Sequence, residues 1–265
     1  MRFVLIFLFC VKGYGAWVDQ IPIFPFSPRD LIFGAQNKEL DVEALIAERY
    51  LQDDFLVFDV GANAGIWSCM ALHYHPSLRI IAFEPIPEKS IGFEYGERFE
   101  IHRVALTDRR GKGIFYYIAD ASILSSLYQR ECYTMNQVEA IEVDLETLDH
   151  FCEWNGIHQI DYLKIDAEGA EFFILKGAAK LFARKAITAL QFEYGGCYRD
   201  SKTTLKETIQ FLTDCGFVLF RMVSGGLMHI ASWHPALENY GHYNFFAILQ
   251  EKAVGYSLAR MGRST

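Results

Sequence analysis

The chain has 265 residues, 51% of them hydrophobic and 15% aromatic, which is ample for a buried core and excludes a disordered protein. A net charge of -8 argues against a phosphate-dominated nucleic-acid surface, which needs basic clusters. The six cysteines contain no C-x-x-C pair, so a metal–thiolate site is not expected and the thiols read as reduced, in a cytosolic protein. At the N-terminus Arg2 precedes the apolar run Phe3–Val11, which resembles a short secretory signal but is well under the roughly 20 residues that span a bilayer. It is read as a buried N-terminal segment or an untranslated upstream start, with a removable leader as the alternative. No stable membrane span is expected, and nothing in the sequence sets the oligomeric state.

Residues 1–50 read as a lead-in, with Pro22, Pro25 and Pro28 preventing regular structure before a helix over Val42–Leu51. From Phe55 onward, short apolar runs alternate with amphipathic stretches, the pattern of βαβ units and a parallel sheet. Strand one is Phe55–Val60, followed by a helix over Ile66–His73 that His75-Pro76 stops. Strand two is Arg79–Phe83 and strand three Ile101–Leu106. Asp108–Gly113 is turn-like, and Ile114–Ile118 with Ala140–Val143 predicts a small β insertion before core strand four. Asp144 stands where a helix N-cap belongs, ahead of Leu145, Leu148, Phe151 and Cys152. Strand four is Tyr162–Ile165, then a helix over Glu171–Phe182, strand five at Ala189–Phe192 and a helix over Ser201–Asp214 with Gly216 beyond its end. Phe217–Met222 and Asn244–Leu249 are the last strands, and Val223–Tyr243 reads as a loop over the site.

The chemistry concentrates at strand ends. Strand one runs into Asp59-Val-Gly61-Ala-Asn63-Ala-Gly65, a glycine-bearing turn that opens a helix, as open α/β sheets use to cradle a nucleotide. A dinucleotide fingerprint would need glycine at positions 63 and 66, where this chain has Asn63 and Ile66. An acid at the strand tip suits a cationic ligand such as the ammonium of an amino-acid group. The pattern therefore points to S-adenosylmethionine rather than NAD.

Glu84 ends strand two, where an acid about 20 residues past the glycine turn bonds ribose hydroxyls in doubly wound folds. Strand four runs into Asp166-Ala-Glu168-Gly169-Ala-Glu171, and if strands one and four are neighbours, Asp59 and Asp166 open into one crevice. These acids repel one another unless a cation or a proton is shared among them; a sulfonium, a metal ion or a proton would each serve. Carboxylates suit Mg²⁺, but no metal is assigned. Glu171 reads as a helix-N-terminal acid. Asp166, then Glu168 and Glu193 at the end of strand five, are the candidate bases for an acceptor's proton. Ser125 and Ser126 read as a turn, His229, His234 and His242 as surface groups that include a possible base, and Trp233 and Tyr240 as a lid or as packing.

The stretches VFDVGANAGIWS, IAFEPIP, VALTD with GKGIFYY, VDLETLD, IDYLKIDAEGAE with LKGA, and LQFEYG, in that order, resemble the FkbM family of S-adenosylmethionine-dependent methyltransferases over about residues 55–250. The resemblance implies a class I methyltransferase, Rossmann-like doubly wound sheet of seven core strands with the last antiparallel. It implies a methyltransferase domain over 51–252 and a C-terminal tail over 253–265. It also implies O-methyl transfer to a hydroxyl of a small molecule or sugar. Asp59, Gly61, Asn63 and Gly65 carry over as cofactor-loop residues, Glu84 as the ribose acid, Ala105 of the VALTD stretch as a cofactor contact, and Asp166 at the methyl-transfer face. A catalytically inactive nucleotide-binding subunit and a NAD-dependent oxidoreductase are the rival expectations.

Overall fold

The structure is a computed structural model that describes residues 23–24, 39–86, 96–131 and 138–253; Phe3–Val11 and the tail beyond Ala253 lie outside them. In chain order the strands are β1 (Ile23–Phe24), β2 (Leu56–Val60), β3 (Arg79–Phe83), β4 (Phe99–His102), β5 (Ala105–Leu106), β6 (Gly111–Tyr117), β7 (Glu139–Glu146), β8 (Ile160–Ile165), β9 (Ile187–Tyr194), β10 (Phe217–Val223), β11 (Gly226–Ile230) and β12 (Tyr243–Leu249). The helices are α1 (Glu39–Arg49), α2 (Ile66–Tyr74), α3 (Leu148–Trp154), α4 (Glu171–Lys176), α5 (Ala179–Ala183), α6 (Cys197–Asp200) and α7 (Leu205–Asp214).

Nine strands form the main sheet in the order β1-β11-β10-β12-β9-β8-β2-β3-β4. From β2 the chain builds outward through β3 and β4, then returns to lay β8 on the other side of β2, all in parallel. That reversal opens a crevice at the carboxyl ends of β2 and β8. β12 runs antiparallel between β9 and β10, so the expected seven-strand core is present, extended by β11 and β1 at one edge. The central strands are buried on both faces and hence almost continuously apolar. One face packs Phe58, Leu163, Ile165 and Phe192 under α4, α5 and α7. The other packs Val57, Tyr162 and Phe246 under α1 and α2, with Trp67 stacked on Tyr162 at 5.9 Å between ring centroids. Among the described residues no helix is long and apolar enough to cross a membrane.

Several boundaries differ from expectation, each for a visible reason. Strand three divides: Phe99–His102 joins the main sheet, while Ala105–Leu106 joins a three-stranded sheet with β6 and β7. Arg103, between the two pieces, donates to the Ile86 carbonyl at 2.9 Å. Gly111–Gly113 belongs to β6, not to a turn, and pairs with Val143–Leu145. Asp144 is no helix cap. It lies inside β7, where burial alternates with period two, and the true cap is Thr147, whose hydroxyl accepts from His150 N at 3.3 Å. The helix expected over Glu171–Phe182 breaks into α4 and α5 at Gly177, where any Cβ would stand 2.1 Å from the Thr107 carbonyl oxygen. The helix expected from Ser201 begins at Leu205, behind a capping box of Thr204 and Glu207.

Val223–Tyr243, expected as a loop over the site, is a loop only in part. Gly226–Ile230 forms a hairpin with β10 through a turn containing Gly225 at φ 83°, and Leu227, Met228 and Ile230 are buried. The prolines of the lead-in do not exclude all regular structure either. Ile23 and Phe24, between Pro22 and Pro25, pair in parallel with Leu227 and Met228, at an edge where proline is tolerated. The helix expected over Val42–Leu51 is α1, shifted to Glu39–Arg49, and Val42, Ile46 and Ala47 are fully buried in the same core as β2 and β12.

Candidate active site

The crevice is built from four strand ends. β2 ends at Val60, and Gly61, at φ 76°, turns the chain while its N–H donates to the Phe83 carbonyl at 2.9 Å. A Cβ at Gly61 would lie 1.8 Å from the Asp166 carbonyl oxygen, so the tips of β2 and β8 approach closely only because residue 61 is glycine. Asn63 holds φ 45° and donates its backbone N–H to Glu84 Oε2 at 2.9 Å. Gly65, at φ 65°, is the N-cap of α2. Glu84 leaves the tip of β3 with Oε1 accepting from Ile86 N at 3.0 Å. Burial pushes its carboxyl up, and the two backbone amides oppose that shift.

A cavity of about 280 Å³ is lined by Gly61, Asn63, Glu84, Ala105, Asp166, Glu168 and Glu193, all expected site residues. Its apolar wall, beyond Glu84, is made of Ile86, Leu106, Phe115, Ile123 and Leu127. Gly65 and Asp59 do not line it. Asp59 is fully buried behind the cavity, where Oδ2 accepts from Ser68 Oγ at 2.6 Å and Oδ1 stands 3.6 Å from Lys164 Nζ. Burial pushes its carboxyl up and Lys164 pulls it down. The cation facing Asp59 is thus the chain's own Lys164, not a group in the cavity.

Lys164 also reaches Asp166 Oδ2 at 3.0 Å, linking the two strand tips. It is buried, and the neighbouring Asp166, Asp59 and Glu43 outweigh the cost of burial to hold its ammonium above the ordinary range. Glu43 comes from α1 and accepts from Gln191 Nε2 at 2.6 Å, while Gln191 Oε1 accepts from Tyr162 Oη at 2.7 Å. Glu168 sits in a left-handed turn at φ 51° and forms a buried ion pair with Arg130, which stands 3.6 Å from Asp200 as well. Burial and the charge of Glu193 push the Glu168 carboxyl up to about 8 against the pull of Arg130. Ser126, in the segment after β6, donates to the Glu168 carbonyl at 2.6 Å and so serves the turn. Glu171 starts α4 and accepts from Ala167 N and Gly169 N, both at 2.9 Å, as a helix-N-terminal acid does.

Oxygens of Asp166, Glu168 and Glu193 lie within 4.8 Å of one another. That spacing would suit a hard cation, yet Asp166 and Glu168 already face Lys164 and Arg130, while Glu193 Oε1 lies 3.8 Å from the imidazole Nδ1 of His242. Sequence reasoning missed Lys164 and Arg130. The first was legible as the one lysine in an apolar strand. The second comes from a distant segment and carried no signal.

A parallel sheet reversing at β2 and β8, acids at its strand tips and an antiparallel β12 beside β9 define a class I methyltransferase fold. The chain belongs to the methyltransferase FkbM domain family, whose model matches residues 59–219. It is 24% identical over 164 residues to Methyltransferase 1 of Beauveria bassiana, covering 53% of this chain and 65% of that protein. It is 24% identical over 173 residues to 2-O-methyltransferase NoeI of Sinorhizobium fredii, covering 60% of this chain and 69% of that one. Among solved structures, a methyltransferase FkbM from Methylobacillus flagellatus matches with a TM-score of 0.51 at 13% identity, over 83% of this chain and 50% of that one, a likeness of fold. The chain spans a little under two thirds of the fungal relative's length.

Proposed function

We propose that this chain is an S-adenosylmethionine-dependent methyltransferase that acts on a hydroxyl of a small molecule or sugar. The observation that carries the reading is the single cavity joining Glu84 and its apolar wall to the acids Asp166, Glu168 and Glu193. An apolar slot beside a strand-tip acid suits a nucleoside, with the carboxylate of Glu84 toward the ribose hydroxyls. The acidic end suits a positively charged sulfur and amino group. When bound, the cofactor supplies a methyl group on a sulfonium. The residues of the chain hold the reactants aligned, an effect worth up to roughly 7–11 kcal/mol, and accept a proton, worth about 10²–10⁴-fold. A hydroxyl acceptor is supported by the relative named a 2-O-methyltransferase.

Calorimetric titration with S-adenosylhomocysteine and with NADH tests the cofactor, and a labelled-methyl screen of hydroxyl compounds tests the reaction. Binding of S-adenosylhomocysteine is expected, weakened at least about tenfold by Glu84→Ala, a loss in line with a hydrogen bond to a charged group. Binding of NADH alone would overturn the cofactor. Binding of S-adenosylhomocysteine with no transfer to any acceptor would favour a catalytically inactive subunit.

A further inference from the structure

The three carboxylates of the crevice differ in what already holds them. Asp166 is bonded to Lys164 at 3.0 Å, and Glu168 is paired with Arg130 in the interior. Both acids are thus already engaged with a cation of the chain. Glu193 has no such bonded cation. Its Oε2 is buried with no hydrogen-bond partner among the described residues, and its Oε1 lies 3.8 Å from His242 Nδ1.

His242 stands just before β12 and against Gly195, where a Cβ would come within 3.0 Å of Nδ1. Its side chain is 64% exposed and is not part of the cavity lining; it stands beside Glu193, which is. The other histidines of the segment are engaged elsewhere. His229 lies in β11 with its ring 5.4 Å from that of Phe220, and His234 Nδ1 accepts from Ala236 N at 3.1 Å.

We infer that His242 is the base that takes the acceptor's proton and that Glu193 is the carboxylate that orients and charge-balances it. The inference rests on the methyl-transfer reading above. As the acceptor oxygen puts an electron pair into its new bond to carbon, its O–H bond breaks and an N–H bond forms at Nε2 of His242. The electron pair of the broken C–S bond stays on sulfur. The imidazolium, held through Nδ1 by Glu193, then loses its proton to water at its exposed edge. Asp166, foremost among the acids in the sequence reading, serves instead to anchor Lys164 at the tip of β8.

Three charged groups face the ring: Glu193 on β9, Glu168 ahead of α4, and Arg130 from the segment after β6. The two acids raise the imidazole above its ordinary range, Glu193 foremost, and Arg130 with partial burial opposes them. A ring raised in this way is a stronger base toward an acceptor's proton.

Nitrogen-15 NMR titration of the full chain with S-adenosylhomocysteine bound tests the pair. The His242 midpoint should lie above that of an ordinary histidine, with the neutral ring protonated on Nδ1. Glu193→Gln should lower the midpoint by about half a pH unit or more, and Glu193→Asp should retain most of the shift. A midpoint indifferent to Glu193→Gln, or a neutral ring carrying its proton on Nε2, overturns the inference. On a hydroxyl acceptor from the labelled-methyl screen, His242→Asn should lower kcat about 10²–10⁴-fold and remove the acid limb of its pH profile; unchanged turnover is equally fatal. S-adenosylhomocysteine affinity should stay within about twofold in His242→Asn, because His242 is assigned to the acceptor. If the unaltered chain fails to bind that probe, it is the cofactor reading that falls.

Discussion

Glu168 enters the crevice on a left-handed turn at φ 51°, a conformation that a non-glycine residue adopts at a cost of about 1–3 kcal/mol. Its carboxyl stands at about 8 against an ordinary 4.5, because burial and Glu193 disfavour its charge more than Arg130 favours it. The sign of the linkage follows: the folded protein holds this proton more tightly than the unfolded chain. The contribution is fully present below pH 4.5 and is lost as pH rises through about 8. Glu168→Gln, which cannot titrate, should flatten the decline of stability across that window, as urea unfolding at its two ends will measure. The acids themselves were legible in the sequence because each interrupts an apolar strand at its carboxyl end. Their cations were not equally legible, since Arg130 reaches Glu168 only through the tertiary fold.

At the scale of elements, the crevice depends on how closely β2 and β8 meet. Gly61→Ala would put a methyl group 1.8 Å from the Asp166 carbonyl oxygen in a backbone conformation of φ 76°. The two tips would have to separate, and S-adenosylhomocysteine binding should fall by more than about tenfold, in line with a site sensitive to displacements near 1 Å. Gly111→Ala supplies the control, since its φ is 126° but nothing lies within 4 Å, so it carries backbone strain without the clash. Calorimetry on both variants separates the effects. Element type followed well from periodicity, and element ends did not. Asp144 looked like a cap because apolar residues recur at helical spacing after it, whereas β7 carries the alternation on to Glu146. Gly177 looked like one more residue of a helix, and its role as the contact for Thr107 belongs to packing that no local pattern encodes.

For the whole molecule, the alternation of strands and helices was enough to expect a parallel sheet with a reversal at its centre. The two strands beyond β10 escaped notice, β11 because glycine and histidine disguise it and β1 because prolines flank it. α1 was expected as a helix over Val42–Leu51, and it packs on α2 and β10 and sends Glu43 to Gln191 behind the crevice. Ile46→Ala, at a fully buried position, should destabilise the protein by about 2–5 kcal/mol, with one cooperative urea transition if this helix folds with the sheet. A separate early transition would show the helix to be an appendage.

The short β1 has a bearing on solubility. It occupies the outer margin of the sheet beside β11, and the residues before and after it in the chain, Pro22 and Pro25, have no amide hydrogen to offer. Among the described residues this margin is two residues long, and an edge strand that short gives another chain little to pair with.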